Sequence, residues 1–199
     1  MVNTCSILLM KLYLTPYRES NMRTRETGIG GLTIIEPKVY KDQRGYFFEC
    51  YHHGKLNQSG INHTFIQDNQ SRSVRGVIRG LHYQQEPYAQ TKLIRVTEGS
   101  VFDVAVDIRK GSDTFGQWFG IELSSENHLQ LLIPKGFAHG FSVLSAHATI
   151  LYKCDAYYHP DSESGIRYDD PDLQIDWKVD PASAIISKKD RGLPYLKDM

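Results

Sequence analysis

Two histidines stand in short, glycine-punctuated runs, Arg79-Gly80-Leu81-His82-Tyr83-Gln84 and Pro134-Lys135-Gly136-Phe137-Ala138-His139-Gly140-Phe141. Glycine allows backbone approaches and dihedral angles that other residues avoid, so such a run can aim an imidazole into a cavity. Imidazole titrates closest to neutrality of all side chains, which suits it to moving protons. Proton-transfer chemistry needs partners besides a base. Lys92 offers a cation for a developing oxyanion, and the phenol of Tyr152 offers an acid on the face opposite a base.

Each group has a plainer reading beside the chemical one. His82 as a general base competes with His82 as a turn or core histidine, and Arg75, Arg79 and Lys92 nearby favour the base. His139 takes a supporting role, although Phe137 and Phe141 would equally pack around it. The run Val101–Ile108 alternates with period two, placing Val101, Asp103, Ala105 and Asp107 on one face. Spacing alone makes that acidic face solvent-exposed; the sharper alternative has Asp103 orienting a histidine inside a cavity. Strand tyrosines such as Tyr152 commonly pack with one hydrogen bond. Tyr157 and Tyr158 are either strand aromatics or a stacking platform. Arg44 lies in a turn, solvated or, with Arg79, gripping phosphate. Asp190 reads locally as a solvated charge near the C-terminus.

Paired histidines in a β-barrel raise the question of a metal. Such sites draw on a His-x-His pair, but here the pair reads His82-Tyr83-Gln84, and an amide is a poor transition-metal ligand beside imidazole or carboxylate. No metal is expected. No GxGxxG dinucleotide fingerprint occurs, and no cofactor is expected.

These groups need a scaffold, and 199 residues suffice for one domain with a substantial core. Lys+Arg and Asp+Glu both number 23, so no overall field points to nucleic acid or membrane. Cys5, Cys50 and Cys154 form an odd set without CxxC spacing, which favours free thiols in a reducing, cytoplasmic setting. No apolar run approaches the ~20 residues that cross a bilayer. Lys11 cuts the apolar stretch Ser6–Met10, unlike a secretory signal. Residues 1–30 read as a poorly ordered extension without chemistry, and 31–199 as the single domain.

From Leu32 onward short β-type runs alternate with turn signals. Expected strands are Leu32–Ile35, Tyr46–Tyr51, Thr64–Gln70, Lys92–Thr97, Val101–Ile108, Gly116–Leu123, Gln130–Ile133, Phe141–Leu144, Thr149–Tyr157 and Ile166–Tyr168, with single helical turns at Lys55–Ser59 and Ser125–His128. This spacing predicts an all-β jelly-roll barrel or sandwich with short peripheral helices.

The chain closely resembles the dTDP-4-dehydrorhamnose 3,5-epimerase family from about Leu32 to Leu196. The resemblance rests on Ile35–Val39, Asp42–Glu49, Gln67-Asp68-Asn69, Arg79–Gln84, Lys92, Asp103–Arg109, Thr114–Gly116, Leu123–Asn127, Ile133–Phe141, Tyr152, Asp169-Asp170-Pro171, Ile175–Trp177 and Ile186–Asp190. It implies a metal-free, cupin-type jelly roll acting as a homodimer in dTDP-L-rhamnose biosynthesis, toward products such as lipopolysaccharide O-antigen. Its substrate would be dTDP-4-dehydro-6-deoxy-D-glucose and its product dTDP-4-dehydro-L-rhamnose.

By the same resemblance His82 is the base, Asp190 its carboxylate partner, Tyr152 the acid and Lys92 the cation beside the enolate. Arg44 and Glu49 match nucleotide contacts; Gln67, Asp68, Asn69 and Arg79 match the sugar and phosphate path. His139 backed by Asp103, Glu163 and Lys189 match binding or supporting positions, and Tyr158 lies near the sugar ring. The chain departs from the family pattern at Arg167–Asp169, where a tryptophan and an asparagine are common, and in residues 1–30. Rival readings are an epimerase of C3 or C5 alone, a ketoisomerase, a non-catalytic sugar-nucleotide-binding jelly roll and a metal-dependent oxygenase.

Overall fold

The computed structural model describes residues 22–199. Its strands are β1 (Met22–Glu26), β2 (Thr33–Pro37), β3 (Tyr40–Asp42), β4 (Gly45–Phe47), β5 (Gln67–Val74), β6 (Ile78–Gln84), β7 (Lys92–Glu98), β8 (Ser100–Asp107), β9 (Trp118–Ser124), β10 (Gln130–Ile133), β11 (Phe137–Val143), β12 (His147–Cys154) and β13 (Glu163–Gly165). Two short helices join them, α1 (His53–Gln58) and α2 (Lys188–Arg191). A six-stranded sheet in the order β1-β2-β10-β7-β12-β5 faces a five-stranded sheet, β13-β6-β11-β8-β9, and β3-β4 form a separate hairpin. All ladders within the sheets are antiparallel. The fold is a cupin-type jelly roll.

Period-two alternation sorts each strand into an inner and an outer face. On β7, Ile94 and Val96 join the core between the sheets, whereas Leu93 packs outside with Leu56 and Ile61 around α1. On β8, Val101 and Ala105 face inward, while Val104 and Val106 face the C-terminal segment carrying Leu173 and Trp177. On β11 and β12 the inward residues include Phe137, Phe141, Val143, Ala148 and Ile150. Lys92, Asp103, His139 and Tyr152 keep the same parity as these core residues. Their polar groups therefore project between the sheets. Both outer faces have their own apolar cover, which leaves the interior as the place for a site.

Several sequence expectations are corrected here. The segment Met22–Glu26, assigned to a disordered extension, pairs with β2 from Met22↔Pro37 to Glu26↔Thr33, with Met22 buried. The first 21 residues of that extension lie outside the described residues. Tyr46–Tyr51 forms a strand only at its start, and Ser125–Asn127 is a turn without a helix. Ile166–Tyr168 is not a strand, although the Ile166 N–H donates to the Leu81 carbonyl at 2.9 Å and the Ile166 carbonyl accepts the Leu81 N–H in return at 3.0 Å. The run around His82, read only as a link between strands, is itself strand β6. Asp103, which strand spacing alone placed at the surface and the resemblance placed behind His139, is fully buried. Period two separates two faces but does not say which one faces water; here both faces of β8 are covered.

Candidate active site

Strands β6 and β11 pair with His82 directly opposite His139, and a bulge falls between His139 and Phe141. Their glycines make this approach possible. A Cβ on Gly80, whose φ is +116°, would stand 2.6 Å from the Gly140 Cα, and one on Gly140 would stand 2.7 Å from the Arg79 carbonyl. Any side chain there would push the strands apart and turn both imidazoles. The role assigned to glycine from sequence is thus a packing requirement.

His82 Nε2 lies 2.8 Å from Asp190 Oδ1. Asp190 sits on α2, where Ser187 accepts its N–H at 3.0 Å, and its second oxygen accepts the Gly80 N–H at 3.3 Å. Burial raises its carboxyl, but the hydrogen bonds from His82 and Gly80 and the charge of His82 outweigh that and hold it below the ordinary carboxylate range. An ionised Asp190 accepts the Nε2 proton, which leaves Nδ1 with the ring's lone pair. His139 repeats the arrangement: its Nε2 lies 3.0 Å from both oxygens of buried Asp103.

The opposite wall belongs to the other sheet. Tyr152 on β12 stands in register with Ile94 on β7 and Asn69 on β5. Desolvation, aided by Cys154 and Glu163, pushes its phenol above the ordinary value, so the hydroxyl keeps its proton. Lys92 on β7 has no ion-pair partner among the described residues. Desolvation lowers its ammonium below the ordinary lysine value, against the pull of Cys154, Asp103 and Glu163. Cys154, buried beneath them, is pushed up to about 11, mainly by desolvation, and remains a neutral thiol that accepts from Asn69 Nδ2 at 3.7 Å.

These groups line one cleft with two lobes. The larger, about 570 Å³, holds the catalytic candidates with an apolar end including Phe141, Ile150 and Ile186. The second, about 420 Å³, shares His82, Lys92, Tyr152, Glu163 and Lys189 and adds Gln67, Asn69, Gln84 and Tyr158. Glu163 Oε2 accepts from Tyr158 Oη at 2.7 Å and pairs with Lys189 Nζ at 2.5 Å. Burial would raise this carboxyl, but Lys189 and Tyr158 together hold it low.

Of the residues singled out from sequence, the cleft gathers His82, Lys92, Tyr152, Asp190, His139, Gln67, Asn69, Arg79, Tyr158, Glu163 and Lys189, with Asp103 behind His139. Three stand elsewhere in the chain. Arg44 caps the β3–β4 turn with Asp42, Glu49 pairs with Lys55 at 2.7 Å, and Asp68 points to the outer face of β5 and pairs with Lys153 at 2.9 Å. Ser71, Gln84 and Ser187 line the cleft and were not foreseen; on β5, the parity shared with Gln67 and Asn69 would have found Ser71. Among the described residues no cluster of three or more His, Cys, Asp or Glu is arranged to hold a metal ion.

The family model for dTDP-4-dehydrorhamnose 3,5-epimerase matches residues 26–198. The chain belongs to the dTDP-4-dehydrorhamnose 3,5-epimerase family. It is 49% identical to the dTDP-4-dehydrorhamnose 3,5-epimerase of Methanothermobacter thermautotrophicus over 180 residues, 90% of this chain and 97% of that one. It superposes on the dTDP-6-deoxy-D-glucose-3,5-epimerase of Legionella pneumophila, solved in complex with dTDP-4-keto-L-rhamnose, with a TM-score of 0.85 and 53% identity over 88% of this chain and 93% of that one. A 3'-monoepimerase from Streptomyces bikiniensis, in complex with dTDP-quinovose, shares the fold at a TM-score of 0.80 with 32% identity, covering 85% and 86%. No helix among the described residues is long and apolar enough to cross a membrane.

Proposed function

We propose that this epimerase inverts C3 and C5 of dTDP-4-dehydro-6-deoxy-D-glucose through enolates, giving dTDP-4-dehydro-L-rhamnose. One observation carries the reading: His82, bonded to Asp190 of α2, projects from the five-stranded sheet, while Tyr152 and Lys92 project from the six-stranded sheet into the same cleft. A sugar ring held between the sheets meets a base on one face and an acid on the other. The C4 ketone acidifies the hydrogens on both neighbouring carbons, because each carbanion delocalises onto oxygen.

His82 Nδ1 removes the proton, and Asp190 orients the ring and stabilises the imidazolium that forms. Lys92, poorly solvated and without a fixed counter-ion, stabilises the enolate oxygen. Tyr152 returns a proton to the opposite face, inverting the centre. His139, held by Asp103, supports the oxygen side of the ring. Arg79, Gln67, Asn69, Glu163, Lys189 and Tyr158 contact or frame the rest of the sugar nucleotide.

Arg44 and Glu49 fit a role at the nucleotide only if a second copy supplies them. The β3–β4 hairpin is hydrogen-bonded to neither sheet, although Tyr46 packs against His128 with ring centroids 4.7 Å apart; Tyr46 and Phe47 are largely exposed and Arg44 is at its tip. A homodimer in which this hairpin reaches the other copy's cleft accounts for both its exposed aromatics and the distance of Arg44 from its own cleft. Cys50 and Cys154 are free thiols, which fits a reducing cytoplasm.

Proton NMR of the product formed from dTDP-4-keto-6-deoxyglucose in deuterated buffer tests the assignment. Deuterium at both C3 and C5 with L-rhamno configuration is expected. Deuterium at one carbon only would make the protein a monoepimerase, and binding without exchange would make it a sugar-nucleotide-binding jelly roll. The closer similarity to 3,5-epimerases than to the 3'-monoepimerase favours the double inversion.

A further inference from the structure

Gln84 occupies the inner face of β6 two residues after His82, at the polar end of the cleft, and is 6% exposed. Its amide is fully engaged. Nε2 donates to the carbonyls of Tyr88 at 2.6 Å and Tyr157 at 3.3 Å, and Oε1 accepts the His159 N–H at 2.6 Å. Gln67, on the opposite sheet, grips the intervening residue: its Oε1 accepts the Tyr158 N–H at 2.9 Å, while its Nε2 donates to Asn69 Oδ1 at 3.0 Å. Tyr157–His159 lies between the end of β12 and the 3-10 turn Pro160–Ser162, so no strand ladder holds it. Two side-chain amides, one from each sheet, take the ladder's place.

The held segments carry a rim of exposed aromatic rings, of which Tyr158 lines the cleft. Tyr88, Tyr157 and Tyr158 are all exposed, and Tyr88 stacks on His159 with ring centroids 3.8 Å apart. A planar base binds such a rim by stacking, which requires the ring planes to be fixed in advance.

We propose that Gln84 is a positioning residue for the nucleobase end of the substrate, clamping the Tyr88 and Tyr157–His159 segments so that Tyr158 presents its ring to the base and not to the sugar ring, where the resemblance placed it. The chemistry of the clamp selects an amide. The two segments offer two carbonyls and one N–H; a carboxylate has no proton to donate, and a neutral imidazole has one donor only. The position where a metal-binding His-x-His pair would continue is thereby used to shape the nucleotide site. The inference rests on Tyr158 being a wall of the substrate site.

The test compares Gln84→Ala and the isosteric Gln84→Glu with Tyr158→Ala and the Gln84→Ala/Tyr158→Ala double variant, measuring steady-state kinetics and dTDP binding by calorimetry. Both Gln84 variants are expected to raise KM and the Kd for dTDP about tenfold, equivalent to about 1.4 kcal/mol, with kcat within about twofold of wild type. The double variant should be no worse than Tyr158→Ala alone, since the clamp acts through that ring. A fall in kcat at unchanged KM, or additive losses in the double variant, would overturn the positioning role. Unchanged KM in Tyr158→Ala would instead overturn the reading of the rim itself. Should the buried variants fail to fold, Gln67→Met releases the Tyr158 N–H together with Asn69 Oδ1 at a half-buried position; it should raise KM non-additively with Tyr158→Ala, and an unchanged KM there sinks the clamp.

Discussion

His82 Nε2 and Asp190 Oδ1 are 2.8 Å apart although 108 residues separate them in the chain. The C-terminal segment makes this meeting possible by running beside β6. Ile185 bridges Val77 in parallel, its N–H donating to the Gly76 carbonyl at 2.9 Å and its carbonyl accepting the Ile78 N–H at 3.0 Å. Ser187 then starts α2 and turns Asp190 inward, where it is 3% exposed. His82 and the carboxylate bonded to it thus come from adjacent, hydrogen-bonded stretches of backbone.

Asp190→Asn should leave the fold intact and lower kcat on the order of 10³–10⁴-fold, because an amide no longer enforces the Nε2–H tautomer. Stability offers a second readout. Since the folded-state pKa of Asp190 lies below its ordinary 3.8, its stabilising contribution is present above that value and lost only as pH falls through the depressed one. Thermal midpoints of wild type and Asp190→Asn should differ by a constant amount at neutral pH and converge in strong acid. A gap that widens on acidification contradicts the ionised pair.

Tyr152→Phe separates proton removal from proton return. Solvent deuterium should still enter the sugar through His82, while net inversion falls on the order of 10²–10⁴-fold. The comparison is made by following isotope content and product configuration in one NMR sample. Exchange and inversion lost in equal measure would assign Tyr152 to the first step.

Lys92→Met should abolish turnover and stabilise the protein. The fold lowers the lysine's pKa, so it disfavours the charged form, and at neutral pH that charge costs stability. Relief of that cost should raise the thermal midpoint. The difference should shrink as pH approaches 10.5, because the folded wild type releases the proton before the unfolded chain does. Activity of the wild type should fall in the same alkaline range, through Lys92 and ahead of the phenol of Tyr152, which is shifted upward. A destabilised Lys92→Met protein would show that the ammonium has a counter-ion.

Mixing subunits tests the hairpin. If Arg44 serves the other copy's cleft, a mixed dimer of His82→Ala and Arg44→Ala chains contains one intact site, and activity reappears when the two inactive proteins are dissociated and reassembled together. Continued inactivity after verified exchange would mean that Arg44 acts within its own chain or not at all. Arg44→Ala alone should leave the thermal midpoint unchanged, since its only described partner is the neighbouring Asp42 in an exposed turn.

Much of this site was legible in the linear chain. The β-type run Lys92–Thr97 and the period two of Val101–Ile108 marked real strands, and the glycines beside His82 and His139 marked a real close approach. The strand carrying His82 was missed because Gly80 interrupts its β-type pattern, and the contact between β6 and β11 that needs this glycine is non-local. Asp103 was judged exposed because alternation distinguishes faces without ranking them; the opposing sheet and His139 determine that its face is interior. Met22–Glu26 looked like a charged extension because edge strands expose polar side chains, and only pairing with β2 identifies it.

Residue types and local periodicity therefore determined the chemistry on offer, a base, an acid and a cation carried on β-strands, because side-chain reactivity and strand alternation are properties of a few adjacent residues. Tertiary structure decided the rest: that His82 and Tyr152 face each other from different sheets, that Asp190 reaches the imidazole, and that Gln84 is engaged by backbone groups instead of a metal. These are relations between segments far apart in the chain, produced when two sheets bury their apolar faces together, and no short-range pattern encodes them.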